Sequence, residues 1–255
     1  KLLINLDGPE PGKFFIGCAG GAVICAGLDL ETRKPSLEKT YELKVSGLKG
    51  GHSGLDIHRG GANAIKILAQ FLSDLPISYE LVDISGGEKN NVIPREAKVT
   101  LQLNVKDLGI FRQYAQEFMK KITEQYKGKD NPIELTFDKS QKPAEKVFTK
   151  ELRDKIIKAL LIIPHGVIET SKEFDEVVET SNNLASIKVK DEKIQIFSSP
   201  RSMNDIYEIT DKIKSSLEKL GFNISISGVY PSWKANKHSK FLHLAQKVHK
   251  EIFGK

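Results

Sequence analysis

The order of hydrophobic patterns constrains this chain more than any single motif. Tyr41, Leu43 and Val45 alternate with Glu42, Lys44 and Ser46, as in a strand with one wet face. From about His58 to Ser73 the apolar positions Ala62, Ile65, Ala69 and Leu72 follow helical spacing, with Pro76 just beyond. A strand at 78–84, a loop at 86–91 and an alternating strand with Ala97, Val99, Leu101, Leu103 and Val105 on one face come next. Then a helix is expected, with Asp107 at its N-cap and Leu108, Phe111, Ala115, Phe118, Ile122 and Tyr126 as its stripe. A strand at 133–137 closes a β-α-β-β-α-β unit, the ferredoxin-like order.

Most of that order returns. Helix 149–162 carries Leu152, Ile156, Ala159 and Leu160 and ends before Pro164; Ile187–Val189 and Ile194–Ile196 form a hairpin. A long helix follows, opened by a capping-box-like Ser202-Met203-Asn204-Asp205 and closed by Gly221, and then a strand at 222–229. Either a duplication or the chance recurrence of helix plus hairpin accounts for this. Two such halves side by side predict an α+β fold: one broad antiparallel sheet with helices on one face. On either side the character changes. Lys1–Leu6 reads as a buried strand, Gly8–Gly12 as a turn and Phe14–Gly21 as an apolar strand running into small residues. Tyr230-Pro231-Ser232-Trp233 leaves the sheet for a last helix at about Ser239 to Phe253. Both ends read as stumps of a second domain into which the sheet domain is inserted, as though the chain were cut from something longer.

The 255 residues suffice for a substantial core. The net charge of +6 comes from lysines interleaved with acidic residues on helix faces, a solvated surface and not a phosphate-binding stripe, so no nucleic-acid partner is expected. Cys18 and Cys25 have neither the spacing of a redox or zinc pair nor the density of a disulfide scaffold, which predicts a reduced, cytoplasmic chain. No apolar run approaches the roughly 20 residues of a membrane span.

Chemistry has few places to reside. No histidine pair sits at the i, i+4 spacing of a helical zinc motif, no Gly-x-Ser-x-Gly elbow is present, and the Gly50-Gly51 and Gly86-Gly87 pairs lack a Walker lysine. Four polar residues at strand ends remain. His52, on the glycine-walled corner Gly50-Gly51-His52-Ser53-Gly54, could donate to a carbonyl or oxyanion, or be an ordinary loop histidine. Arg201 could clamp a carboxylate with its fork or form a surface ion pair. Asn91 is a candidate that is also a natural turn-former before Val92-Ile93-Pro94, and Asn183 follows Thr180-Ser181-Asn182 at a strand entry.

Together Gly50-Gly51-His52-Ser53-Gly54, Ile57-His58, Asn63-Ala64, Asn91-Val92-Ile93-Pro94-Arg95-Glu96-Ala97, Val178-Glu179-Thr180-Ser181-Asn182-Asn183-Leu184, Pro200-Arg201-Ser202 and Tyr230-Pro231-Ser232-Trp233 resemble the bacterial Xaa-His dipeptidases. These are also called aminoacyl-histidine dipeptidase or peptidase D, di-zinc metallopeptidases related to carnosinase. The resemblance implies a homodimeric subunit with a zinc-binding catalytic domain interrupted by a lid, or dimerisation, domain. It divides the chain into 1–38 as catalytic-domain remnant and linker, 39–229 as lid, and 230–255 as the returning catalytic domain. It makes His52 the lid histidine that polarises the scissile carbonyl, across the dimer in related enzymes, and Arg201 the residue that binds the substrate carboxylate. Asn91 and Asn183 occupy the asparagine-bearing strand entries, either of which could face substrate. Asp7 matches an aspartate zinc ligand, although Gly8-Pro9-Glu10-Pro11 is less acidic than the family pattern.

The His-x-Asp segment, Glu-Glu pair and distal histidine of the family are absent from the sequence, and one retained ligand cannot hold two metals. The expectation is therefore a lid fragment, silent alone and binding no zinc stably, whose parent hydrolyses Xaa-His dipeptides such as carnosine-like substrates. A standalone dimerisation or scaffold module is the competing reading, and a small-molecule sensor on a ferredoxin-like sheet is the third.

Overall fold

The computed structural model describes residues 12–172, 177–236 and 238–254. The strands are β1 (Gly20–Asp29), β2 (Thr32–Arg33), β3 (Lys39–Ser46), β4 (Gly51–His52), β5 (Glu80–Gly86), β6 (Val92–Ile93), β7 (Ala97–Leu103), β8 (Glu134–Lys139), β9 (Val147–Phe148), β10 (Gly166–Thr170), β11 (Val178–Lys190), β12 (Lys193–Ser202) and β13 (Asn223–Tyr230). The helices are α1 (Ala64–Ser73), α2 (Leu108–Gln125), α3 (Lys150–Ile162), α4 (Ile206–Glu218) and α5 (Lys240–Phe253). Most of the strands form one nine-stranded sheet in the order β13-β1-β12-β11-β5-β7-β3-β8, with β10 paired to β11. The α+β architecture expected from the patterns is the one observed.

That order is a palindrome of two βαββαβ units. The first runs β3-α1-β5-β7-α2-β8 and the second β1-α3-β11-β12-α4-β13, and each places its strands in the same relative order. The recurrence is a duplication. Its missing first strand is β1, which pairs antiparallel with both β12 and β13, so the first unit is inserted between the first strand and first helix of the second. The sequence reading placed a strand over Phe14–Gly21; the strand instead begins at Gly20, because the small residues of Gly20–Asp29 fit between two neighbours while Phe14 and Phe15 stay half-exposed.

The equivalent strands β5 and β11 meet at the centre through the pair Gly86–Ile187, and the equivalent helices α1 and α3 pack together above them. This is the geometry of an isologous dimer interface inside one chain. At the seam Gly87 has φ +68°, and a Cβ there would lie 2.0 Å from the Ala185 carbonyl oxygen, so only glycine allows the backbones to approach. Asn63 ties the halves further. Its Oδ1 caps α1 by accepting from Ile65 and Lys66 N–H groups, while its Nδ2 donates to the Leu184 carbonyl of β11 at 2.8 Å.

The helices sit on one face over the alternating residues Leu43, Val45, Val99, Leu101, Ile24, Ala26, Ile194 and Ile196. Phe71 of α1 makes ring contacts with Phe111, Tyr114 and Phe118 of α2. The helix expected from His58 breaks at Gly60, in the left-handed region, and α1 starts only at Ala64. Asp107 occupies the N-cap of α2 without a side-chain cap bond, whereas Asp205 caps α4 by accepting from Tyr207 N–H. Between β1 and β3 the connecting strap is pinned by Glu80. Burial alone would raise its pKa, yet hydrogen bonds from Ser36 and Leu37 together with Arg33, 2.6 Å away, hold it below the usual carboxylate value. Among the described residues no helix is long and apolar enough to cross a membrane.

Candidate functional site

The corner after β3 is built by its glycines and by Asp56. His52 and Gly51 pair with Val92 and Ile93, so β4 and β6 form a separate two-residue ribbon, with β6 in contact with β11. Asp56 Oδ2 accepts the His52 backbone N–H at 2.8 Å, and a Cβ on Gly51, whose φ is +140°, would lie 2.8 Å from that carboxylate. The close approach that the glycines permit is thus made by the chain's own carboxylate. The His52 ring is oriented in turn: its Nδ1 accepts from the Gly54 N–H at 3.1 Å. A nitrogen that accepts carries no proton, so the neutral ring holds its proton on Nε2 and presents it as a donor. Among the described residues Nε2 has no hydrogen-bond partner.

Arg201 arrives from the other half, in β12, opposite Gly21 of β1 and Ser181 of β11. A Cβ built on Gly54 would meet the Arg201 Cζ and the His52 Cε1 at 3.2 Å each. The guanidinium and the imidazole therefore both border the place of one missing side chain, with Cζ and Cε1 within twice that distance of each other. Nη1 of Arg201 donates to the Tyr230 hydroxyl at 3.3 Å, while its Nε is buried without a partner.

The two asparagines do different things. Asn183 is 1% exposed and its Nδ2 donates to the carbonyls of Asn90, at 3.1 Å, and Val92, at 2.9 Å. It clasps the loop whose strand pairs with His52, and its Oδ1 is left buried and unpartnered. Asn91 is exposed in the turn before β6, its carbonyl accepting the Ser53 N–H at 2.8 Å. The fold thus gathers His52, Asn91, Asn183 and Arg201 into one region, from loops and strands of both halves. Asp7 lies outside the described residues. Sequence reasoning missed Asp56, Ser53 and Tyr230. Of these, Ser53 and Tyr230 stood in motifs already singled out, and Asp56 did not.

Four buried side-chain atoms among the described residues lack a hydrogen-bond partner: Ser53 Oγ, Asn183 Oδ1, Arg201 Nε and Gln102 Oε1. Three of the four surround the His52 corner. Buried polar atoms are nearly always paired, so a cluster of unpaired ones around one histidine sets this corner apart from the rest of the described structure. No three His, Cys, Asp or Glu side chains among the described residues come together to hold a metal ion. The described donors therefore do not fit a di-zinc centre.

Residues 39–130 match the peptidase dimerisation domain family. The cytosol non-specific dipeptidase of Escherichia coli (strain K12) is 31% identical over 261 residues, covering all of this chain and 53% of that protein. The solved structure of aminoacylhistidine dipeptidase from Vibrio alginolyticus superposes with a TM-score of 0.88 at 30% identity, over 94% of this chain and 50% of that one. The chain spans about half the length of both.

Proposed function

We propose that the chain belongs to the Xaa-His dipeptidase family and is the lid of a zinc-dependent dipeptidase, a reading that its likeness to two dipeptidases supports. On this reading the lid comprises residues 39–229 together with β1, flanked by segments of the catalytic domain. The parent protein hydrolyses Xaa-His dipeptides, carnosine-like ones among them, as a cytoplasmic homodimer. The match to a peptidase dimerisation domain and the relative named as a cytosol dipeptidase support those attributions.

One observation carries the reading: an imidazole offering Nε2–H and a guanidinium come together at Gly54. A dipeptide separates its scissile carbonyl from its terminal carboxylate by a single residue, roughly 3.5 Å of chain. Two donors gathered at Gly54 can engage both ends of so short a substrate. His52 donates to the carbonyl oxygen as charge develops on it, Arg201 holds the carboxylate, and Asn91 and Asn183 flank the bound peptide. A pure scaffold has no use for three buried polar atoms left open around a histidine.

Metal ligands come on this reading from the catalytic domain, with Asp7 contributing only in its presence, so the 255-residue chain alone is inactive. The test is hydrolysis of an Xaa-His dipeptide by the full-length zinc-loaded protein and by its His52→Ala and Arg201→Ala variants. Losses in both variants are expected. Full activity in both, or robust turnover with stoichiometric zinc by the 255-residue chain, would overturn the assignment.

A further inference from the structure

We propose that Tyr230 is a substrate-binding residue, its hydroxyl forming with Arg201 a two-pronged receptor for the free carboxylate at the C-terminus of the peptide. The proposal rests on the dipeptidase reading above and adds to it a specificity determinant.

The geometry begins with three residues in a row across the sheet. Gly21 of β1 is paired with Arg201 of β12 on one side and with Tyr230 of β13 on the other. Adjacent strands lie roughly 4.8 Å apart, so side chains two strands away meet only if the residue between them leaves room. Gly21 leaves it. A Cβ at that position would lie 2.6 Å from the Tyr230 hydroxyl and 2.8 Å from its Cζ, so the ring lies over the space that any other residue would fill. The next glycine is equally committed: a Cβ on Gly20 would lie 2.7 Å from the Ser232 nitrogen and 2.8 Å from the Tyr230 carbonyl oxygen. Further along, the Ser232 hydroxyl donates to the Asn204 carbonyl, and Trp233 exchanges backbone hydrogen bonds with Cys18. The segment 230–233 is thereby held against β1, and the ring is aimed at the guanidinium.

Hydrogen-bond chemistry then fixes the direction. A guanidinium has only donors, so in the 3.3 Å contact between Arg201 Nη1 and the Tyr230 hydroxyl the phenolic oxygen must accept. Its own proton is left to donate elsewhere. Nothing else in the described structure takes that proton, and the tyrosine is 43% exposed. An anion drawn to Arg201 meets the guanidinium N–H groups and the phenolic O–H from adjacent directions, and a carboxylate, with two oxygens to share, satisfies both. Arg201 bonds Tyr230 through Nη1 and approaches His52 at Gly54, so the contact order Tyr230, Arg201, His52 matches the order of terminal carboxylate and then scissile carbonyl in a dipeptide.

The experiment uses the full-length zinc-loaded protein and compares kcat/KM for an Xaa-His dipeptide with that for the same dipeptide as its C-terminal amide, in the parent, Tyr230→Phe and Arg201→Ala proteins. Phenylalanine keeps the ring packing over Gly21 and removes only the hydroxyl. A hydrogen bond to a charged group predicts that Tyr230→Phe lowers the acid-over-amide ratio about tenfold, through KM more than kcat. Arg201→Ala should lower it further. A Gly21→Ala variant, whose methyl displaces the ring, should reproduce the Tyr230→Phe ratio. If Tyr230→Phe slows both substrates equally or leaves the ratio unchanged while Arg201→Ala lowers it, Tyr230 is structural and the proposal fails alone. An unchanged ratio in both variants overturns the carboxylate site itself.

Discussion

The Nδ2 of Asn183 donates to the carbonyl of Val92 at 2.9 Å, and Val92 is the residue that pairs with His52. A buried asparagine of the second half thus holds the ribbon that carries the histidine of the first. Substituting Asn183→Ala strands the Asn90 and Val92 carbonyls and should cost about 1–3 kcal/mol of stability. Turnover should fall beyond what the lower stability explains, because β4 loses the support of β6. Thermal unfolding together with kcat in the full-length protein checks both parts; a stable variant with unchanged kcat would remove Asn183 from the positioning of His52.

For His52 itself, the Gly54 N–H bond to Nδ1 sets the protonated nitrogen, so the ring acts as a neutral donor. Loss of one such donor to a developing oxyanion typically costs about 100- to 1000-fold in kcat. His52→Ala should show a fall of that size with a much smaller change in KM. A rise in KM at unchanged kcat would instead assign the ring to ground-state binding.

Gly51 offers a test that leaves the imidazole in place. Alanine there forces a Cβ against the Asp56 carboxylate and adopts a φ of +140°, strained for any residue with a side chain. The Gly51→Ala variant should lose about 1–3 kcal/mol and part of its turnover as the Asp56 bond to the His52 N–H is displaced. Chemical denaturation and steady-state kinetics report the two effects; wild-type values in both would show that the corner tolerates a side chain.

How far the sequence disclosed this arrangement depends on the range of the contacts. The first half was legible because its strands alternate with period two and its helices carry wide apolar stripes, as in Ala97–Leu103 and Phe111–Ile122. β1 was not. Gly20–Asp29 is made mostly of small and branched residues without clean alternation, and its partners lie far away along the chain. His52 and Arg201 stood out as residue types, yet their approach across Gly54 depends on how the two halves join. Asn183 shows the limit plainly: its amide clasps carbonyls 91 and 93 residues away, a role that no local pattern encodes.

Acid should weaken the junction of the halves. His165 accepts at Nδ1 from Asn63 Nδ2, 3.2 Å away, and burial, with the Lys66 ammonium second, lowers its pKa from 6.5 to about 4. The folded state therefore binds fewer protons than the unfolded state between those values. Stability is fully present above about pH 6.5 and is lost as the pH falls towards 4. Melting temperatures should drop by several degrees over that interval, and less so in His165→Gln, which has nothing to protonate there. Equal pH slopes for the two proteins would refute the role of His165.

His52 and Arg201 meet across Gly54 within one chain, because the equivalent strands β5 and β11 join the two halves as a dimer interface would. No second copy is needed to bring the histidine to the arginine, so the reach across a dimer that the family resemblance implied is not required to assemble this pair. Co-expressing full-length His52→Ala and Arg201→Ala proteins should therefore restore no activity above that of either alone. Every lid in such a mixture lacks one of the two groups, whichever catalytic domain it covers. Shared sites built from two chains would behave differently, since mixed dimers would then contain one intact pair and recover a substantial fraction of the parent rate. Recovery on that scale would mean that the histidine and arginine acting on one substrate come from different chains, against the geometry seen across Gly54.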